Sequence, residues 1–179
     1  MIKHLKSARV FWLFGLSGAG KSTLAGHLIR HLRDAGRGVL ALDGDDLRTG
    51  LCRGLGFSDG DRAENLRRAA ETAKLGIHSE LCVVAAFITP LESHRRLVAG
   101  ILDPSISFIH VSAPLDVCRA RDVKGLYAGA QAGNVAQLTG VTSSFEAPAR
   151  TDLVIHTDLE NVAASTSHLL DFARPLSPR

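Results

Sequence analysis

Gly15-Leu16-Ser17-Gly18-Ala19-Gly20-Lys21-Ser22 decides the reading of this chain. It fits the pattern G-x-x-x-x-G-K-[ST] in full, and its flanks have the context that gives the pattern meaning. Val10-Phe11-Trp12-Leu13-Phe14 before it reads as a buried strand. Thr23 to Ala35 after it reads as a helix, with Leu24, Leu28 and Leu32 on one face. In such a loop the glycines let backbone N–H groups turn inward around phosphate oxygens. Lys21 adds a mobile positive charge near the β- and γ-phosphates, and the Ser22 hydroxyl suits a Mg²⁺ ligand. The following helix points the positive end of its dipole at the anion. Gly15, Leu16, Ser17, Gly18, Ala19, Gly20, Lys21, Ser22 and Thr23 are therefore the expected ATP-binding residues. A glycine-rich turn that binds nothing is the alternative.

Outward from this loop, strand-like and helix-like segments alternate. Gly38 to Leu42, Leu81 to Ile88, Ser105 to Val111 and Leu153 to His156 read as strands. Asp61 to Ser79, Glu92 to Ile101, Pro114 to Arg121 and Leu159 to Phe172 read as helices. Asp61 and Glu64 resemble a capping box. The alternation predicts an α/β fold, a parallel central sheet with helices on both faces. Ligands of such sheets sit outside the carboxyl ends of the strands. The phosphate loop, the turn Asp43 to Asp46, and Thr89 all fall there. Gly125 to Arg150 is rich in glycine and small residues, with little apolar periodicity, and reads as a lid loop next to the nucleotide.

Composition sets the bounds. The 179 residues suit a single domain with a real core, and the apolar share of 45% argues against disorder. The net charge of +3 suits a small anionic substrate, and no basic block interleaves with aromatics, so nucleic acid is not expected. The basic start, Met1 to Arg9, followed by Val10 to Leu16, imitates a short signal peptide. That apolar run leads straight into the phosphate loop, so it is a core strand, and it is too short to span a membrane. Cys52, Cys82 and Cys118 show neither metal-ligand spacing nor a disulfide framework, which fits a reducing cytoplasm. Each of the eight histidines reads as a packing or surface residue and not as a catalytic one.

Two further stretches carry chemistry. In Leu42-Asp43-Gly44-Asp45-Asp46-Leu47-Arg48, carboxylates at a strand end can hold Mg²⁺ or accept a proton from a nucleophile. A solvated acidic turn is the alternative. Gly54-Leu55-Gly56-Phe57-Ser58-Asp59-Gly60-Asp61-Arg62-Ala63-Glu64-Asn65-Leu66 puts an aromatic ring and an arginine in a glycine-rich turn and the helix start beyond it. Arg67 and Arg68 read as solvated.

At these residues the chain resembles the adenylylsulfate kinases (APS kinases). That family uses ATP to phosphorylate the 3′-hydroxyl of adenosine 5′-phosphosulfate (APS), giving PAPS. The likeness runs through GLSGAGKST, LDGDDLR, GLGFS, DRAENLRR, FITP, RDVKGLY, LTG and FEAP, covering almost the whole chain. It implies a three-layer P-loop kinase fold forming one domain over residues 1–179, with a lid over about 125–150. It also implies ATP and Mg²⁺ as cofactors, APS as the partner molecule, no membrane association, and a homodimer.

Residue by residue, the resemblance makes Lys21, Asp45 and Thr89 catalytic, with Asp45 the base or orienting group for the 3′-hydroxyl. Ser22 and Asp43 serve the metal. Arg48 and Arg62 bind the phosphosulfate, Asn65 lines that site, and Phe57 stacks on the adenine of APS. Ile88 and Thr89 contact the substrate, Lys124, Gly125, Leu126 and Tyr127 open the lid, and Leu138 closes on the other face of the adenine. Arginine forks suit a doubly anionic mixed anhydride, and an aromatic face suits a purine. Four departures stand out. Thr89 replaces the serine of FISP, Glu92 replaces a basic residue, the lid around Ala128 and Gln131 is neutral, and Leu138 replaces a phenylalanine. They bear on the substrate more than on the reaction class. A kinase for another nucleoside diphosphate-like metabolite and a nucleotide-binding regulatory homologue stay open at this point.

Overall fold

A computed structural model describes residues 9–132 and 138–174. Five strands form one parallel sheet: β1 (Val10–Phe14), β2 (Val39–Asp43), β3 (Cys82–Phe87), β4 (Ile106–Ser112) and β5 (Leu153–His156), in the order β2-β3-β1-β4-β5. β1 is central and every residue of it is fully buried. A strand buried on both faces must be apolar throughout, which is why VFWLF lacks the alternation of a half-exposed strand.

The period of two nevertheless sorts its side chains between two cores. Phe11 and Leu13 join Leu24, Leu28 and Leu32 of α1 (Lys21–Asp34) and Leu169 and Ala173 of α7 (Val162–Ala173). Val10, Trp12 and Phe14 join Leu66, Ala69, Ala70 and Ala73 of α3 (Asp59–His78) and Val98 and Leu102 of α4 (Glu92–Leu102). Helices thus cover both faces, which makes the three layers. Leu24, Leu28 and Leu32 recur at intervals of four, so one stripe of α1 faces the sheet.

The segments expected from sequence are all present; β1 and β5 have the expected ends, and the others are shifted by one to three residues at one or both ends. The start of α3 needs a correction. Its N-cap is Ser58, whose hydroxyl accepts from the Asp61 N–H at 3.2 Å and donates to the Asp61 carboxylate at 2.6 Å. The capping box is therefore Ser58 with Asp61, one turn earlier than the Asp61 and Glu64 pairing. Glu64 instead pairs with Arg67 and Arg68 on the solvated face. Three short helices complete the chain: α2 (Gly44–Thr49), α5 (Leu115–Arg121) and α6 (Leu126–Gln131). Of these only α5 was legible from periodicity. α2 and α6 are six residues each, too short for a repeat to show.

Cys52, Cys82 and Cys118 are buried thiols. No helix among the described residues is long and apolar enough to cross a membrane.

Candidate active site

The parallel sheet brings the carboxyl ends of β1, β2 and β3 to one edge, and a cleft of about 750 Å³ opens there. Two glycines make the phosphate loop possible. A Cβ on Gly15 (φ +148°) would lie 2.2 Å from the Val111 carbonyl oxygen, and one on Gly18 (φ +79°) would lie 2.9 Å from that of Cys118. No other residue fits that close to neighbouring backbone. Ser17, Gly18, Gly20, Lys21, Ser22 and Thr23 line the cleft, while Gly15, Leu16 and Ala19 form the frame of the loop behind that lining. The Lys21 ammonium spans the loop and donates to the Leu16 carbonyl at 2.7 Å. Burial above all, and then the nearby Lys124 charge, lowers the Lys21 pKa to about 8.

The loop is braced from behind by residues far along the chain. Thr157, just past β5, donates its hydroxyl to the Ala19 carbonyl at 2.8 Å. Arg121, at the end of α5, donates to the Gly18 carbonyl at 3.3 Å and to the Thr157 carbonyl at 2.6 Å. Tyr127 is buried and donates its hydroxyl to the Ser17 carbonyl at 3.0 Å.

The end of β2 delivers the carboxylates. Asp43 is the N-cap of α2, accepting from the Asp45 N–H at 2.9 Å. Its other oxygen accepts from the Ser22 hydroxyl at 2.9 Å. Two hard oxygen donors side by side at the mouth of a phosphate loop fit Mg²⁺ in chemistry and position. Asp45 is exposed, and its carboxylate is ion-paired with Lys124.

Beyond them the turn before α3 assembles an aromatic and cationic group. The Arg48 guanidinium lies 4.3 Å from the Phe57 ring centroid and donates to the Leu55 and Gly56 carbonyls. Arg62 lies 5.6 Å from the same centroid and donates to the Phe57 carbonyl at 2.9 Å. Phe57 is 52% exposed although it is a large apolar side chain, and its carbonyl is held in place, as suits a stacking platform. Arg62 and Asn65 are buried beneath it. The Asn65 Oδ1 and the Thr139 hydroxyl are buried and have no hydrogen-bond partner among the described residues, and both residues line the cleft. A polar ligand in the cleft could complete the bonding of both.

Ile88, Thr89, Lys124, Leu126 and Leu138 line the cleft as well, whereas Gly125 does not and instead caps α6 at φ +65°. Asp122 fixes that helix start by accepting from the Tyr127 and Ala128 N–H groups at 3.0 Å each. The stretch read as a lid thus begins with a short, well-capped helix. Its far half is fastened down: the Glu146 N–H donates to the Pro90 carbonyl, and the Glu92 N–H donates to the Glu146 carboxylate. Residues 133–137 of the stretch lie outside the described part.

Arg95 was not recognised from sequence. It is 3% exposed, pairs with Glu92 at 2.8 Å, and donates to the Thr89, Pro90 and Glu146 carbonyls. A signal existed, since Arg95 shares the inward stripe of α4 with Val98 and Leu102. Glu92, where the resembling family is basic, serves this buried pair.

A phosphate loop on a parallel sheet, a serine–aspartate oxygen pair and a cleft with two arginines against an aromatic ring are the features of a P-loop phosphotransferase. The chain matches the family model for adenylylsulphate kinase over residues 7–156. It is 48% identical over 164 residues to the adenylyl-sulfate kinase of Shewanella halifaxensis (strain HAW-EB4), spanning 91% of this chain and 80% of that relative. It is 48% identical over 169 residues to that of Paraburkholderia xenovorans (strain LB400), spanning 92% and 94%. The structure of the Mycobacterium tuberculosis APS kinase in complex with AMPPNP and APS superposes with a TM-score of 0.88 at 36% identity, covering 94% of this chain and 98% of that one. The chain belongs to the adenylylsulphate kinase family, whose members transfer a phosphoryl group from ATP to the 3′-hydroxyl of APS.

Proposed function

We propose that the cleft carries out this transfer with the triphosphate in the loop after β1 and APS against Phe57, Arg48, Arg62 and Asn65. One observation carries the reading. A single cleft holds Lys21, the Ser22–Asp43 pair and Asp45 at one end, and the Phe57 platform with its two arginines at the other. Both sets line one enclosure, and the reaction needs donor and acceptor held together.

The loop amides and Lys21 bind the β- and γ-phosphates, and the ammonium faces the charge that develops during transfer. A triphosphate there favours the charged form of Lys21, countering the burial that lowers its pKa. Ser22 and Asp43 would hold Mg²⁺, which when bound screens charge on the β- and γ-phosphate oxygens. Asp45 orients the 3′-hydroxyl and takes its proton. For this the Asp45–Lys124 pair must loosen, and Lys124 is then free to face phosphate, which couples lid movement to an available base. Arg48 and Arg62 both lie against the Phe57 ring, and the adenine stacks on the part of the ring that stays exposed. Leu138 offers an aliphatic surface where an aromatic ring would hold more tightly. The kinase acts as one domain over residues 1–179, with the lid over about 125–150. It forms a homodimer, testable by light scattering, and works in a reducing cytoplasm, which suits its three buried thiols.

The test is coupled-assay turnover with ATP and a panel of nucleotides that includes APS. APS should be the preferred acceptor by at least tenfold in kcat/KM. Efficient phosphorylation of another nucleoside diphosphate-like compound, with APS poor, would give the pocket to that compound. Nucleotide binding without turnover of any acceptor would make the chain a regulatory homologue.

A further inference from the structure

Trp12 is the sole tryptophan of the chain, buried in the middle of β1 and stacked on Phe87 at 4.9 Å. An indole N–H can only donate. It donates to the Thr89 Oγ1 at 2.9 Å. Thr89 itself is 1% exposed and held with φ +43°, the left-handed region that a β-branched residue avoids. Arg95 fixes this turn by donating to the carbonyls of Thr89 and Pro90 at 3.1 and 3.2 Å. Backbone and side chain are thus both pinned, at a residue that lines the same cleft as Arg62 and Asn65.

A threonine hydroxyl has one proton and two lone pairs. Here the indole occupies one lone pair and draws electron density from the oxygen, which makes it a poorer nucleophile. Toward an anion the remaining lone pair is repelled, and the O–H proton is the part of the side chain that can bond. A buried donor in a cation-lined pocket matches an anionic oxygen of the acceptor.

We propose that Trp12 is a positioning residue for phosphoryl transfer: its indole N–H holds the Thr89 hydroxyl as a hydrogen-bond donor to the acceptor and not as a nucleophile. This rests on the reading that Thr89 belongs to the APS end of the cleft. Transfer is then direct. The acceptor 3′-oxygen forms the bond to the γ-phosphorus as the bond from that phosphorus to the β,γ-bridging oxygen breaks. The 3′-hydroxyl proton passes to Asp45, ADP leaves, and Thr89 keeps its proton and forms no bond to phosphorus.

Because the chain has one tryptophan, its indole N–H gives a single unambiguous signal in ¹⁵N-labelled full-length protein. Adding APS to the ADP-bound protein should shift that signal, while ADP alone should not. Trp12→Phe keeps a ring against Phe87 and removes the donor. It should raise the KM for APS about fivefold, the worth of one hydrogen bond, with the KM for ATP within twofold. In a Thr89→Ala background, which should keep measurable activity, Trp12→Phe should add no further loss in kcat/KM for APS. The proposal is overturned by an indole signal that saturating APS leaves unmoved. It is equally overturned by losses that add in the double variant, or by a phosphothreonine at position 89 that forms and decays at the turnover rate. Should Trp12→Phe fail to fold, the titration of the unmodified protein decides alone. Failure of the functional reading looks different: APS is not turned over, while another nucleotide is and shifts the indole signal, a result that keeps the role of Trp12.

Discussion

Arg95 offers the sharpest test of how the Thr89–Pro90 side of the cleft is held. Replacing it with methionine keeps most of the length and volume and removes every donor. Three backbone carbonyls, those of Thr89, Pro90 and Glu146, lose a charged partner, and Glu92 loses its ion pair. Taken singly, hydrogen bonds to a charged group are worth about 1.5–3 kcal/mol. Their sum overcounts, because methionine also removes the cost of burying a guanidinium. Removing one partner of a buried pair costs about 3–5 kcal/mol. Glu92 is 27% exposed, so water recovers part of its loss and the lower end applies. The expected destabilisation is therefore about 3 kcal/mol, or a fall in Tm of about 6–12 °C for a chain of this size. Urea unfolding followed by far-UV circular dichroism measures it, with an unchanged m-value showing that the same surface is exposed. Arg95→Lys keeps the charge but not the fork, and should recover less than half. At temperatures where Arg95→Met is folded, its kcat/KM for APS should fall more than its affinity for ATP. A loss of stability under about 1 kcal/mol would refute the view that this guanidinium ties the Thr89–Pro90 turn to the 145–149 segment.

Lys21→Ala should lower turnover by about 10²–10³ with little change in unfolding midpoint, since one preorganised charge is lost from a loop; wild-type turnover in that variant would remove the loop from the chemistry. Asp45→Asn should lower kcat far more than ATP affinity, because the proton acceptor matters in the transition state, and normal turnover per bound complex would make Asp45 a binding residue only. Leu138→Phe should tighten APS about fivefold without moving ATP affinity, from the lower end of the roughly 1–3 kcal/mol of base stacking; unchanged or weaker APS binding would place Leu138 away from the adenine. His110 stacks on Phe14 at 5.0 Å and Phe145 at 5.9 Å, and burial, with Arg95 and His156 nearby, lowers its pKa to about 4. Below pH 6.5 the unfolded chain takes a proton that the folded chain refuses, so stability falls from pH 6.5 down to about 4 and this contribution levels off below that. Partial burial limits the loss to about 2 kcal/mol, and His110→Phe should flatten that part of a urea-stability profile; an identical profile would assign the acid loss to other groups.

The phosphate loop was legible because its parts are consecutive: the anion cradle is made of neighbouring backbone N–H groups, and the order of glycines, lysine and serine fixes their directions. β1 was legible because a strand buried on both faces has to be apolar without interruption. The alternation of elements likewise pointed to a parallel sheet with its ligand at the carboxyl ends. The roles of Phe57, Arg62 and Asn65 came from resemblance to a family and not from periodicity. Other features had no local signature. Ser22 meets Asp43 across 21 residues, Arg95 meets Glu146 across 51, Trp12 meets Thr89 across 77, and Lys124 meets Asp45 across 79. Each pair forms only when parallel register sets β1, β2 and β3 side by side and the chain returns over their ends. A window along the sequence sees Arg95 as one more charge on a helix and Trp12 as one more large core residue. Burial and the direction of a hydrogen bond distinguish them, and both are set by which elements pack together in three dimensions.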